Sequence, residues 1–310
     1  MANEAITGVA ALDAQLRAGH PLLLDGGMGT ELEARGVAMN RDAWSAVANL
    51  ERPETVEQAH LDFLSAGADV LIANTFPASY LALEAAGLGD QFEQINRRGV
   101  ELARRARERG AANRPVAVAG SMSPMAAGAD IRPTQRPPHE VFDAYRRQAA
   151  VLAAAGADLI VTEMIQSVRS HGVVVEAAAE TGLPVWLGVS AGPAATDGSV
   201  PPLDFAEETL DELVASLVEH PVGAVAVMHT DIGDVDDALE AVRRSWSGPV
   251  AVYPHHGEYH PPSWTFRDLD PQELARRSRV WVDQGVVAIG GCCGVRPHHI
   301  EHLAAVLHTQ

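Results

Sequence analysis

The two cysteines of this chain are adjacent, in the stretch Gly290-Gly291-Cys292-Cys293-Gly294 that closes an apolar run beginning at Val286. Neighbouring cysteines rarely bridge each other, because a disulfide needs its two Cα atoms well apart and suitably aimed. Two thiols delivered together at a strand end, where glycines allow close backbone approach, suit a thiophilic metal such as Zn2+. The pair also reads as two small buried hydrophobes. A catalytic zinc takes three protein ligands and keeps a fourth position open. His229 ends the apolar stretch Val225-Ala226-Val227-Met228 and is the first candidate for the third ligand; His255 and His256 come next. The run from His255 to His260 reads either as a second metal cluster or as a solvated polar loop.

Carboxylates supply the other chemistry. Glu163 ends an otherwise apolar strand, where an unpaired carboxylate is costly to bury. It calls for a cationic partner, either the ammonium group of a ligand or an internal Arg or Lys. Asp25 follows Leu22-Leu23-Leu24 and precedes Gly26-Gly27-Met28-Gly29, so it either meets a ligand or accepts from nearby backbone N–H groups. The glycines do not make a phosphate cradle: no Lys-Ser/Thr follows them, and the dinucleotide spacing is absent.

Eight apolar segments carry these residues: 22–25, 68–76, 116–122, 157–164, 184–190, 223–229, 249–255 and 285–292. Amphipathic stretches of helical period lie between them, among them 90–110, 138–155 and 204–219, and a helix begins at 30–36. Residues 1–20 read as a leading helix with no evident chemistry. The phrases Ala66-Gly67-Ala68-Asp69 and Ala155-Gly156-Ala157-Asp158 read as helix-to-strand turns with glycine at the helix end. Apolar strands alternating with helices require a parallel sheet covered on its faces. Eight of them in 310 residues predict an α/β fold, a single (β/α)8 TIM barrel domain over 1–310. Chemistry in that fold gathers at the C-terminal strand ends. Those ends carry Asp25, Asn74-Thr75-Phe76, Gly120-Ser121-Met122, Glu163, Ser190, His229, Tyr253 to His256 and the cysteine pair. Nothing comparable is expected at the opposite ends.

The formal charge of −18 argues against nucleic acid or an anionic membrane as partner, since both reward Lys and Arg clusters. There is no apolar run long enough to cross a bilayer. With 47% apolar and 21% charged residues the chain can bury a large core. The cysteine usage fits a soluble protein of a reducing cytoplasm.

LLDGGMGTELEARG, the Trp44-Ser45 pair, GADVLIANTF-x-AS, the Glu ending LIVTE, YP-x-x-GE and GGCCGV-x-PHHI together resemble the homocysteine S-methyltransferase family. The resemblance runs from about Leu22 to Leu307, with GGCC its most specific motif. It implies a (β/α)8 barrel holding a catalytic zinc on three cysteines, one ending the sixth strand and two in the GGCC turn. The zinc binds homocysteine as thiolate, which attacks a methyl group on a sulfonium, ammonium or methyl-corrinoid donor. Cys292 and Cys293 match two of the ligands, while Asp25, Gly26, Thr75 and Glu163 match residues that hold the amino and carboxylate groups of the amino-acid substrate. Where the family has Asn-Cys, this chain has Met228-His229, which implies a Cys2His site. The family's YPN becomes Tyr253-Pro254-His255, and its GPYG loop becomes Ser123-Pro124-Met125-Ala126. The expected partners are a small amino-acid thiol or selenol and a small sulfonium donor, S-methylmethionine or S-adenosylmethionine. Two other readings accompany the departure: a zinc-dependent hydrolase or lyase, and a non-catalytic barrel binding an amino acid or sulfonium compound.

Overall fold

Eight parallel strands close on themselves in the computed structural model, which describes residues 5–126, 134–205, 207–260, 263–266 and 269–307. In chain order they are β1 (Leu22–Leu23), β2 (Val70–Ile72), β3 (Ala117–Met122) and β4 (Leu159–Ile165). β5 (Val185–Val189), β6 (Ala224–Asp231), β7 (Val250–His255) and β8 (Val286–Ile289) follow. Each pairs with its sequence neighbour, β8 pairs with β1 through Leu22↔Ala288, and a parallel bridge Leu24↔Val70 joins β1 to β2. The (β/α)8 barrel is therefore present, with the expected eight strands. Strands β1, β2 and β8 are shorter than the apolar runs, because glycines and polar residues take over at their C-terminal ends; β6 runs two residues further, to Asp231.

Side-chain alternation sorts the core into two compartments. Leu22, Leu24, Val70, Ile72, Ala117, Ala119, Leu159, Val161, Trp186, Ala224, Ala226, Met228, Ala251, Tyr253 and Ala288 fill the barrel interior. Their neighbours of opposite parity, such as Leu23, Leu71, Val118, Ile160, Leu187, Val225 and Val252, pack against the helices. The leading segment closes the barrel floor. Leu12, on the helix Ala10–Arg17, packs into the interior cluster, and Trp186 Nε1–H donates to Ile6 O at 2.7 Å. The segment stoppers the N-terminal end, so access is from the other.

Gly67 and Gly156 hold φ of +117° and +91°, the left-handed turn expected after a helix. The aspartates of the same phrases are clips. Asp69 Oδ2 accepts from Leu23 N–H at 3.0 Å while Asp69 Oδ1 pairs with Arg114; Asp158 Oδ2 accepts from Val118 N–H at 2.7 Å and pairs with Arg107. The bottom of the barrel thus carries charged pairs that join strand to strand, where none were expected.

Two other expectations change. The helix expected over 204–219 is Leu210–Leu217, started by a Thr209–Glu212 capping box, because Asp204 and Glu208 are spent on Gln166 and Ser167. The stretch after β7 forms an antiparallel hairpin, Gly257–His260 with Ser263–Phe266, and among the described residues no group of three or more His, Cys, Asp or Glu is placed so that it could hold a metal ion, there or elsewhere. No described helix is long and apolar enough to cross a membrane.

Candidate active site

The last turn hangs between two strand ends. Gly290 N–H donates to Val252 O at 3.1 Å, Cys292 N–H to Pro254 O at 2.7 Å and His256 N–H to Cys293 O at 3.3 Å. The first glycine loop docks against it: Gly27 N–H donates to Val295 O at 3.1 Å, and a Cβ at Gly27 would lie 2.6 Å from Cys292 O. The loop's glycines therefore serve close packing of the first strand end on the last.

Both cysteines are buried and free. Their Sγ atoms are 3.5 Å apart, and Cys292 Sγ lies 3.1 Å from His229 Nδ1 and 3.9 Å from Nε2. The far side of the ring, Nε2, is 2.8 Å from Glu163 Oε2, and Glu163 Oε1 accepts from the Ser121 hydroxyl. Phe76 stacks on the imidazole, with centroids 5.2 Å apart. The result is a row, Cys293–Cys292–His229–Glu163, drawn from the ends of β8, β6 and β4. It lines a cleft with Gly26, Trp44, Asn74, Phe76 and Tyr253.

Strand alternation alone would not build this row. Met228 faces the barrel interior, so His229 should face the helices. Instead His229 has φ +49° inside a register break between Met228 and Asp231 on the β6–β7 ladder. Met164, next to Glu163, has φ +58° inside a break between Thr162 and Ile165. Bulges of this kind re-aim side chains at strand ends, and a left-handed non-glycine costs on the order of 1–3 kcal/mol. Trp44, also in the cleft wall, has φ +39°.

The charges follow from contact. Burial works against the His229 cation, but Cys292 and Glu163 outweigh it and hold the imidazole up at about 10. Burial, reinforced by Cys293, pushes the Cys292 thiol above the usual range despite His229. Burial likewise raises Asp25, with Glu163 adding to the effect.

Of the residues expected to act, Cys292, Cys293, His229, Glu163 and Gly26 meet at the cleft. Asp25 and Thr75 stand behind its wall. Asp25 Oδ2 accepts from Ile72 N–H at 2.8 Å; Thr75 Oγ1 donates to Ser121 O at 2.8 Å and accepts from Ser121 N–H at 3.0 Å. His255 and His256 are not among the residues lining the cleft, and His256 Nδ1 lies 4.0 Å from Asp231 Oδ2. Sequence reasoning placed 74–76 at a strand end without giving Asn74 or Phe76 a role. Asn74 ties Trp44-Ser45 to β2: its Nδ2–H2 donates to Ser45 O and Asn49 Oδ1, both at 2.9 Å, and its Oδ1 accepts from Ser45 Oγ at 2.7 Å.

By type, the residues present fit a zinc ion: two thiols and one imidazole nitrogen whose partner nitrogen sits on a carboxylate. The 3.5 Å between the sulfurs is near the roughly 3.5–3.8 Å between ligands on a tetrahedral zinc, while the 3.1 Å from Cys292 Sγ to His229 Nδ1 is shorter and is a direct contact. The contacts form a row and not a closed triangle.

The profile of the family described as homocysteine S-methyltransferase matches residues 22–307. The chain belongs to the homocysteine S-methyltransferase family. It is a methyltransferase enzyme on that ground. It is 30% identical over 307 residues to the homocysteine S-methyltransferase YbgG of Bacillus subtilis, covering 92% of this chain and 94% of that one. The selenocysteine methyltransferase of Astragalus bisulcatus is 26% identical, covering 94% of each. Among solved structures, the metallated form of the homocysteine methyltransferase MmuM from Escherichia coli superposes with a TM-score of 0.76. It is 31% identical and covers 95% of this chain and 99% of its own. The apo form of the same enzyme gives 0.68.

Proposed function

We propose that this enzyme transfers a methyl group from a small sulfonium donor, S-methylmethionine or S-adenosylmethionine, to the thiol or selenol of homocysteine or a related amino acid. The observation that carries this reading is the row Cys293–Cys292–His229–Glu163 lining the barrel-mouth cleft. Cys292, Cys293 and His229 would hold a Zn2+ ion, which supplies Lewis acidity that keeps a thiol, ordinarily of pKa about 8.5, as thiolate. Closing the row round one ion asks Cys293 and His229 to approach a common point beside Cys292. Likeness to the metallated relative supports a metal-competent form.

The chain's own residues set the geometry. The cysteine turn and the bulged β6 fix where the acceptor sulfur sits, at the floor of the cleft. Trp44 and Phe76 wall the cleft, exclude water and face the cationic donor with aromatic surface. The acceptor sulfur attacks the methyl carbon; the donor's S–CH3 bond breaks, and its electron pair leaves with a neutral thioether. The acceptor's thiol proton has been released to solvent by then. We place Asp25 and Thr75 as supports of the wall that faces the amino-acid end of the acceptor. We place the enzyme in a reducing cytoplasm, in keeping with its free cysteines.

The test is direct. Zinc-loaded protein is mixed with homocysteine or selenocysteine and each donor, and the methylated product is measured by mass spectrometry. Product from a sulfonium donor is expected. No transfer from any donor, with metal bound, would reject this reading.

A further inference from the structure

We propose that Glu163 is a positioning residue for the third metal ligand, aiming His229 so that Nδ1 is the atom offered beside Cys292. This rests on the zinc reading above and goes beyond it, because it moves Glu163 from the substrate to the metal side of the site and names the ligating atom.

Three constraints fix the ring. Nε2 sits 2.8 Å from Glu163 Oε2, Nδ1 sits 3.1 Å from Cys292 Sγ, and Phe76 covers one face at 5.2 Å between centroids. A flip of the ring would put a carbon where each nitrogen stands, setting Glu163 against Cε1 and Cys292 against Cδ2. The distances already separate the two nitrogens, since Nε2 is 3.9 Å from the same sulfur. Glu163 is fixed in turn, its Oε1 accepting from Ser121, whose backbone is clasped on both sides by Thr75 Oγ1. The chain Thr75–Ser121–Glu163–His229 thus runs from the β2 and β3 ends to the ligand. It gives Thr75, which stands outside the cleft, a reason to be buried and doubly bonded there.

The backbone agrees. A histidine at φ +49° in a strand bulge is held against its own preference, and residue 163 lies beside the matching left-handed residue, Met164, in the next bulge. The departure at His229 turns the imidazole into the barrel mouth, where Glu163 already points by the alternation of Leu159 and Val161. A cysteine at 229 would need no partner for a ring nitrogen, so the requirement for Glu163 at the metal belongs to the histidine. A carboxylate on the distal nitrogen of a metal-bound imidazole fixes the ring's orientation, and removing such a partner lowers metal affinity by about 10- to 100-fold.

The experiment is a double-mutant cycle on zinc affinity, measured by chelator competition, with Glu163→Gln made in the wild-type and in the His229→Cys background. Circular dichroism and thermal melts confirm folding of each, and Glu163→Asp serves as a second probe that keeps the charge and shortens the reach. The expected result is a loss of about 10- to 100-fold on Glu163→Gln in the wild type, and a change within about twofold in the His229→Cys background. Nitrogen NMR of histidine-labelled, cadmium-loaded protein should show metal coupling at Nδ1. Equal zinc affinity with and without Glu163, accompanied only by a raised KM for the acceptor, would overturn the proposal and return Glu163 to the substrate. Coupling at Nε2 would overturn it as well. If His229→Cys takes up one zinc per chain and the wild type none, the proposal falls and the methyl-transfer reading stands without His229. If neither takes up zinc, the zinc reading falls with it.

Discussion

At the scale of residues, the site depends on a few contacts that no substitute reproduces. His229→Ala and Cys292→Ala each remove a donor from the row, and each should purify without stoichiometric zinc, as atomic absorption would show. Methyl transfer should fall by at least about a hundredfold, as expected when the group that forms the nucleophile is lost. Retention of full metal content by His229→Ala would remove it from the ligand set. Gly27 is a second such position: an added Cβ meets Cys292 O at 2.6 Å, which is backbone and cannot swing away. Gly27→Ala should cost about 1–3 kcal/mol in urea unfolding and displace the cysteine turn, so zinc affinity falls with stability. Stability lost with zinc affinity intact would show that the turn yields without moving the thiols.

At the scale of elements, barrel top and bottom divide the work. Strand ends at the top bulge, strain and expose polar groups; strand starts at the bottom are clipped by Asp69–Arg114 and Asp158–Arg107 and stoppered by the leading helix. Asp69→Ala leaves the Leu23 N–H, in the buried first strand, without its acceptor. An orphaned buried donor costs about 1–3 kcal/mol, so the melting temperature should drop by several degrees. Because the clip lies at the far end from the cleft, KM for the acceptor should stay unchanged. A change in KM at constant stability would mean that the bottom of β1 transmits to the glycine loop at its top.

At the scale of the whole molecule, acid stability and legibility both trace to burial. His60, on the helix Pro53–Ser65, is fully buried with neither ring nitrogen hydrogen-bonded, and burial lowers its pKa to about 3. The unfolded chain takes up that proton near the ordinary value and the native protein does not, so stability is retained above pH 6.5 and declines as pH falls toward 3. His60→Leu should flatten that decline by about 1.4 kcal/mol per pH unit, read from urea unfolding at a series of pH values. Parallel pH profiles for wild type and variant would assign the acid limb to other groups. The sequence by itself determined the barrel, because apolar runs alternating with helices require a parallel sheet covered on its faces, and eight of them in 310 residues match the closed (β/α)8 form. It also placed the polar residues at one end, and its motifs carried the family. Alternation along a strand even distinguishes the residues it brings together: Glu163 and Cys292 continue the interior parity of Leu159–Val161 and Ala288, while Asp25 and Thr75 have the opposite parity and stand behind the wall. His229 breaks that rule. Its turn toward Cys292 arises from a left-handed residue in a register break, held by Glu163 and Phe76 from strands distant in sequence. A single φ of that sign leaves no periodic trace in the chain, so only the packed tertiary structure decided which histidine meets the thiols.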